Sequence, residues 1–406
     1  MRAVVLGLND NNNRFNINAN NNINNNRPAR GMICPCRDTL IPQPIKVKTY
    51  KNLWSNLCSM ENLELAYRKA KRHKSRNPRI IEFEKHWQLH LCILHKELIT
   101  KAYKPMPLRK FVLRDPKTRI ICVSDFRDRI VHHALVNVLR PIFEPRFIHD
   151  SYASRKGKGT LAAIERFDEF KRRLTRNGKL CADARNNNDV IGYVLKADIR
   201  HYFPTVDHDI LLNIIYERVK DDDVRWLTKT ILDNYETEEP NKGMPLGNWT
   251  SQFFANIYLN ELDQFVKHTL RAKHYIRYVD DFVIMHESKS KLQEYEVKIK
   301  EFLNRLKLEL HPDKCSITPL RNGVSFLGFK IFYHHKIVRK RNLRKIKNKL
   351  AEALAKYKKG IMSATEVTDI LNGWSAYAMQ GNTYQLREKL NSELVVRLKN
   401  ASIYRR

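Results

Sequence analysis

Cysteine is scarce and poorly placed for structural work in this 406-residue chain. There are seven, at positions 34, 36, 58, 92, 122, 181 and 315, and no Cys-x-x-Cys pair occurs. An odd count with irregular spacing excludes a disulfide framework and a zinc ribbon, and it fits reduced thiols. Cys34-Pro35-Cys36 is the one close pair, too isolated to suggest a metal. No apolar run reaches the roughly 18 residues that a bilayer span needs. The N-terminus lacks the layout of a signal peptide. These absences point to a soluble cytoplasmic protein with no membrane partner. Acidic residues are also in deficit, with 43 Asp+Glu against 75 Lys+Arg and a net charge of +32. Folding does not require that excess. It suits a polyanionic partner, because each neutralised phosphate releases counterions; a basic solvated surface is the plainer alternative. No internal repeat is evident.

What is present begins with asparagine. Twelve of the eighteen residues from 9 to 26 are Asn. Such a tract cannot bury enough apolar area to offset its ordering entropy, so it is expected to be disordered. Pro28, Pro35, Pro42 and Pro44 extend it as a linker, giving an expected N-terminal extension over 1–46. Apolar residues then recur at helical spacing, as in Leu63, Ala66 and Tyr67, and in Ile80, Phe83, Trp87, Leu91 and Leu94. Residues 111–123 read as a hairpin turning at Asp115-Pro116-Lys117-Thr118. A helix is predicted from Asp128 to about Leu139.

Residues 193–199 read as a short strand, and Asp207 as the cap of a following helix. From about Thr250, the residues Phe253, Phe254, Ile257, Tyr258, Leu262, Phe265 and Val266 form a sustained helical stripe. His274 to Met285 reads as a second hairpin with Asp280-Asp281 at its tip. A further amphipathic helix bears Leu292, Tyr295, Ile299, Phe302, Leu303 and Leu306. The last 70 residues read as basic helices. One is ended by Gly360, and another is opened by the capping-box pair Ser363 and Glu366.

Asp198, Asp280 and Asp281 thus sit at the ends of otherwise apolar strands. Carboxylates pushed together in such surroundings repel one another and are costly unless a cation neutralises them. Hard divalent ions with oxygen ligands, Mg²⁺ above all, suit that arrangement. Two such ions about 4 Å apart can activate a hydroxyl nucleophile and stabilise a pyrophosphate leaving group. Alone, an Asp-Asp pair is also an ordinary turn.

In order along the chain, five segments resemble the motifs of reverse transcriptases, over about residues 47 to 390. Lys196-Ala-Asp198-Ile-Arg-His-Tyr-Phe203 resembles the first catalytic motif, and Met244-Pro-Leu-Gly247-Asn-Trp-Thr-Ser251-Gln252 the second. Tyr278-Val-Asp-Asp281 resembles the third, His311-Pro-Asp-Lys314 the fourth, and Phe326-Leu-Gly328-Phe the primer grip; Gly373-Trp374-Ser-Ala-Tyr377 resembles part of the thumb. Most reverse transcriptases carry Gln before that glycine and Pro after that serine. Leu246 and Gln252 stand there instead, and Leu-Gly-Asn-x-x-Ser-Gln resembles the enzymes of diversity-generating retroelements. In that family a template-repeat RNA is copied with frequent errors at adenines, and the cDNA rewrites a variable gene.

The resemblance implies an α+β, right-hand polymerase. Its fingers would span 47–185, its palm 186–330, with an antiparallel sheet packed on helices, and its helical thumb 331–406. It implies an RNA-directed DNA polymerase that takes dNTPs, template RNA and the RNA/cDNA duplex, with a basic accessory variability protein as partner. Its cofactor would be two Mg²⁺ ions, with Mn²⁺ as the substitute. Asp198, Asp280, Asp281 and the Ile199 carbonyl match metal-binding positions. Lys314 matches a lysine that protonates pyrophosphate, with a solvated surface lysine as the alternative. Phe203 matches the steric gate against ribose 2′-OH, with a core aromatic as the alternative. Gly247 would allow close approach of a nucleotide, and Leu246 and Gln252 would shape the nascent pair. Arg119, Arg155 and Lys158 are candidates to hold triphosphate or template backbone by charge. The basic residues around 339–349 would follow duplex phosphates. Asparagine codons are adenine-rich, so the N-terminal tract could translate a template-repeat-like segment; a low-complexity tail is the other reading. The rivals are an intron-, retron- or phage-defence-type reverse transcriptase, template-independent synthesis on the same palm, and a non-catalytic RNA-binding protein.

Overall fold

Helix caps and apolar stripes set the first layer. The computed structural model describes residues 48–74, 77–114 and 118–403. The asparagine-rich extension and Asp115-Pro116-Lys117 of the expected turn lie outside the described residues. Four helices come first: α1 (Trp54–Cys58), α2 (Met60–Lys71), α3 (Pro78–Lys85) and α4 (Trp87–Ile99). The Ser59 hydroxyl caps α2 by accepting from the Asn62 N–H, and Asn77 with Pro78 opens α3. Leu63, Ala66 and Tyr67 are buried where α2 packs on α5 (Phe126–Phe143). That helix starts two residues before the predicted Asp128, because the Asp125 side chain accepts from the Arg127 N–H and caps it. Ahead of it stands the predicted hairpin, β1 (Arg109–Leu113) and β2 (Arg119–Val123), paired antiparallel. Phe111, Val112, Leu113 and Ile120 remain exposed on it, so most of the hairpin projects from the core.

The central sheet has the order β4-β5-β3-β6, antiparallel throughout. Its strands are β3 (Tyr193–Asp198), β4 (His274–Tyr278), β5 (Asp281–His286) and β6 (Ser316–Pro319). Side chains alternate between its two faces. Leu195, Ala197, Phe282, Ile284 and Tyr275 enter one core, which also holds residues of α10 (Trp249–Gln264) and α11 (Lys289–Arg305). Val194, Val283, Met285 and Ile276 enter another, shared with α6 (Thr160–Leu174) and the strands β7 (Val324–Phe326) and β8 (Phe329–Ile331). Helix α6, which lies within the stretch expected to form the fingers, therefore packs on the central sheet through Ala163, Ile164, Phe167 and Phe170.

Between β3 and β4 come α7 (Tyr202–Thr205), α8 (His208–Tyr216) and α9 (Asp222–Asp233). Asp207 caps α8 as the sequence suggested, accepting from Ile210 N–H at 3.0 Å. With β9 (Lys336–Val338), β7 and β8 form a small second sheet. Helices α12 (Lys340–Lys358), α13 (Ala364–Ala378) and α14 (Tyr384–Ile403) enclose a separate core around Ile346, Leu350, Leu354, Val367, Leu371 and Leu390. The Ser363–Glu366 capping box forms at α13. Among the described residues no helix is long and apolar enough to cross a membrane, and Cys58, Cys92, Cys122, Cys181 and Cys315 are free thiols.

One polar group is sealed in this interior. Arg277 on β4 and Asp263 on α10 have fully buried side chains. Arg277 Nε donates to Asp263 Oδ1 at 2.7 Å and Nη2 to Oδ2 at 2.6 Å, a bidentate pair. Its remaining donors reach Ser151 Oγ, Asn256 Oδ1 and the Val279 carbonyl, and the Tyr275 hydroxyl donates to Asp263. A buried pair satisfied on every side is stable; one stripped of a partner leaves an uncompensated charge. Asp263→Asn is therefore expected to lower unfolding free energy by about 3–5 kcal/mol in urea denaturation. A loss under about 1 kcal/mol would show that the pair is not a keystone.

Candidate active site

Strand pairing sets the acidic cluster. Asp198 ends β3, Asp281 begins β5, and the two are direct cross-strand partners. Asp280 lies in the two-residue turn Val279-Asp280 between β4 and β5, so Asp281 sits just inside the strand rather than at the tip. The Ile199 N–H donates to the Asp280 carbonyl at 3.1 Å, and the His311 N–H donates to the Asp198 carbonyl at 2.8 Å. Ile199 is buried, 1 % exposed. The backbone of all three acids is thus tied to its neighbours. Val279 is held at φ +55°, a costly value for a β-branched residue. The Arg277 guanidinium, donating to the Val279 carbonyl, braces that turn from below.

Electrostatics follow from this packing. Burial raises the Asp280 carboxyl above its ordinary range, and the nearby Asp198 adds to it, opposed by Lys314 and Arg119. Burial pushes Asp281 up to about 7, with Asp198 and Asp280 adding to it and Lys196 opposing. Lys314 Nζ donates to Asp198 Oδ1 at 2.5 Å, and Lys196 Nζ stands 3.6 Å from Asp281 Oδ2. The sequence expected Asp198, Asp280, Asp281 and the Ile199 carbonyl to hold metal ions. Among the described residues no three Asp, Glu, His or Cys side chains are arranged to enclose a metal ion. Two lysine ammonium groups stand against the carboxylates, Lys314 on Asp198 and Lys196 near Asp281. The donor chemistry still fits a hard divalent cation. Carboxylates supply all the side-chain oxygens, and Asp281 Oδ1 is buried without a hydrogen-bond partner.

The other sequence candidates fall into two groups. Phe203 opens its ring toward Tyr202 in a T-shaped contact, and its carbonyl accepts from the Met244 N–H at 2.7 Å. The first motif therefore touches the start of the second. Leu246 and Gly247 lie against β2, where the Cys122 N–H donates to the Leu246 carbonyl at 2.9 Å. At Gly247, φ is +122° and a Cβ would come within 2.9 Å of the Cys122 carbonyl oxygen. The close approach that this glycine permits is thus made to the protein's own β2 backbone. Arg119 begins β2, and its charge reaches Asp280.

The loop before α6 forms the second group. Exposed Gln252 accepts from the Ser154 hydroxyl at 3.1 Å. Arg155 turns inward, donating to the carbonyls of Ile148 and Ser151, and only 12 % of its side chain is exposed. It braces its loop in this structure and does not point outward as a free phosphate contact. Lys158 lies over the Tyr152 ring and donates to the His149 carbonyl. Two residues beside the acids were not assigned roles from the sequence. Strand alternation places Lys196 two residues before Asp198 and so on its face, a signal available in Lys196-Ala-Asp198. Arg277 carried a signal too, as a charged residue inside an apolar strand, but its partner Asp263 could not be read from spacing.

Gly247→Ala is expected to cost about 1–3 kcal/mol through strain at positive φ and the clash with Cys122. It should also release the Cys122 amide to hydrogen exchange. Unchanged protection at Cys122 would refute the contact.

Similarity to known proteins covers the same region. Residues 109–331, more than half of the chain, match the family described as Reverse transcriptase (RNA-dependent DNA polymerase). Protein YkfC of Escherichia coli (strain K12) is 29 % identical over 294 residues, 62 % of this chain and 72 % of that protein. Group II intron-encoded protein LtrA of Lactococcus lactis subsp. cremoris is 24 % identical over 301 residues, 57 % of this chain and 47 % of its own length. The match thus spans about half of LtrA. Among solved structures, telomerase from Candida albicans in complex with a fragment of telomeric RNA aligns at 11 % identity over 73 % of this chain and 55 % of that one, with a TM-score of 0.45.

Proposed function

The chain belongs to the reverse transcriptase (RNA-dependent DNA polymerase) family and has its right-hand polymerase fold, and on that premise we propose that it copies RNA into DNA by extending a primer at Asp198, Asp280 and Asp281. The observation that supports this most is the direct pairing of Asp198 with Asp281, with Asp280 in the adjoining turn. Asp198, Asp280, Asp281 and the Ile199 carbonyl would hold the divalent ions, Mg²⁺ or in its place Mn²⁺. When bound, such ions supply Lewis acidity to the attacking hydroxyl and the departing pyrophosphate. Lys314, bonded to Asp198, would give a proton to the departing pyrophosphate. Phe203 stands beside the second motif, where a ring can exclude a 2′-hydroxyl. In this reading Arg119, Leu246, Gly247 and Gln252 would face nucleotide and template, with Lys158 at the edge and Arg155 bracing the loop. In this reading residues 47–185 act as fingers, 186–330 as palm and 331–406 as thumb, with α12 along the RNA/cDNA duplex. The work takes place in the cytoplasm, on template RNA and dNTPs.

The full chain with Mg²⁺ should extend a DNA primer on RNA with dNTPs. Asp280→Asn combined with Asp281→Asn should lose at least about 10³-fold of that rate, on the scale of losing a main electrostatic stabiliser, and Phe203→Ala should gain incorporation of ribonucleotides. Extension by the doubly substituted protein at the wild-type rate would sink the assignment.

Leu246 and Gln252 support the narrower reading of a diversity-generating retroelement enzyme, copying template-repeat RNA with errors at adenines alongside a basic accessory protein. The likeness to LtrA supports a second reading, a group II intron-type reverse transcriptase. Sequencing cDNA from wild type and Leu246→Gln separates them. Adenine errors that fall in the variant favour the retroelement; a wild type with no adenine bias leaves the intron-type reading.

A further inference from the structure

A cavity of about 480 Å³ opens where α6, the β8–β9 turn and the link between α13 and α14 meet. In its wall is a lysine that belongs to the buried face of a helix. Lys171 follows the core residues Phe167 and Phe170 on α6, and only 6 % of its side chain is exposed. Its Nζ lies 2.7 Å from Asp168 Oδ1, one turn back, and donates to the Phe332 carbonyl at 2.9 Å. Lys336, the first residue of β9, donates to the other oxygen of Asp168, with 16 % of its side chain exposed. One carboxylate thus serves two buried ammonium groups. Exposed Arg172 lines the same cavity. Among the described residues of its wall Asp168 is the single acid, so three cations stand against one anion.

Water does little to cancel this charge. Exposed lysines are screened and contribute little, whereas Lys171 and Lys336 are largely desolvated and act at a lower dielectric. Burial lowers the Lys171 ammonium; Asp168 opposes this, and Lys336 and Arg172 lower it further. A second anion would offset that repulsion. The carbonyls that end α6 would repel one, but they are already bonded. Thr175 Oγ1 donates to the Lys171 carbonyl at 2.8 Å, and the Asn177 N–H to the Arg172 carbonyl at 2.9 Å. Neutral donors complete the wall. His335 stacks on Phe332 at 4.5 Å, and His334 stands edge-on to Tyr333 at 4.6 Å. Each imidazole carries an N–H in either tautomer. Asn382 accepts from the Lys336 N–H at 3.0 Å through its oxygen, which leaves its NH2 group to donate.

A phosphate group suits this set. It carries about −1.5 to −2 charges at neutral pH, close to the excess of cations over Asp168, and it accepts several charge-assisted hydrogen bonds. The cavity is roomier than one bare phosphate requires and falls within the range of about 300–1,000 Å³ for small-molecule sites. We propose that the cavity between α6, the β8–β9 turn and Asn382 binds a small phosphate-bearing molecule, either free phosphate or pyrophosphate or a nucleotide. The ligand bridges the helix packed on the central sheet to the link between α13 and α14, and so steadies the C-terminal helices. Asp198, Asp280 and Asp281 do not line this site, and it stands without the polymerase reading.

The test uses the full chain in EDTA, which silences metal-dependent binding at Asp198, Asp280 and Asp281. Calorimetric titration with inorganic phosphate, pyrophosphate, ATP and adenosine separates the sources. Binding of phosphate or pyrophosphate identifies the free anion, and binding of ATP alone identifies the nucleotide. Arg172→Ala combined with His334→Ala, both exposed in the wild type, should weaken that binding about tenfold. Lys179→Ala removes an exposed charge two residues past Asn177 but outside the wall, and should leave affinity unchanged. Saturating anion should also slow hydrogen exchange at the Lys336 and Asn382 amides, which bond across the junction. The proposal is overturned if none of the three anions binds or adenosine binds as well as ATP. It is overturned equally if the double variant keeps wild-type affinity, if Lys179→Ala weakens binding as much, or if exchange at those two amides does not change.

Discussion

The bidentate Arg277–Asp263 pair is the constraint on which the acidic end of the sheet depends. It joins β4 to α10, and through Ser151 and Asn256 it reaches the strap before α6 and a second turn of α10. The strap is bound again by its backbone, with Tyr152 N–H donating to the Arg277 carbonyl and Arg277 N–H to the Asp150 carbonyl. With both charges fully buried, neither can be relieved by water. Each therefore demands the other in one geometry, which is how a buried ion pair enforces register. The last donor of Arg277 goes to Val279, whose positive φ would otherwise be relaxed. Strain of about 1–3 kcal/mol at such a residue persists only when the surroundings over-determine it.

That fixed turn sets Asp280 beside the paired Asp198 and Asp281 at one end of the sheet. Two of them rise in pKa because burial and their neighbours oppose ionisation. Lys314 and Lys196 answer from two different elements, and Arg119 adds charge from the projecting hairpin. Carboxylates and ammonium groups thus share one end of the sheet.

Neighbouring parts are tied to this end by close backbone contacts. Gly247 lets β2 rest on the second motif. Gly328, at φ +94°, makes room for the Tyr377 hydroxyl, and Asn342 donates to that hydroxyl and to the Gly328 carbonyl. The β7–β8 turn is thereby locked to α12 and α13. A side chain at either glycine would separate the elements it joins, so these two positions transmit geometry between the hairpin, the central sheet and the C-terminal helices.

The sequence by itself determined the local features. Short β-rich runs marked β3 and the β4–β5 hairpin, helical stripes marked α10 and α11, and Asp207 and Ser363–Glu366 marked helix starts. Each depends on residues a few positions apart, where spacing alone sets the physics. The positions of Asp198, Asp280 and Asp281 at strand ends were legible for the same reason. Only the tertiary structure decided who neutralises whom. Asp198 meets Lys314 across 116 residues and Arg277 meets Asp263 across 14. Arg155 turns inward to carbonyls rather than outward to a phosphate, and α6 joins the central sheet. Basic residues are so abundant in this chain that spacing could not single out those partners. Charge acts through space, and only the completed fold sets those distances.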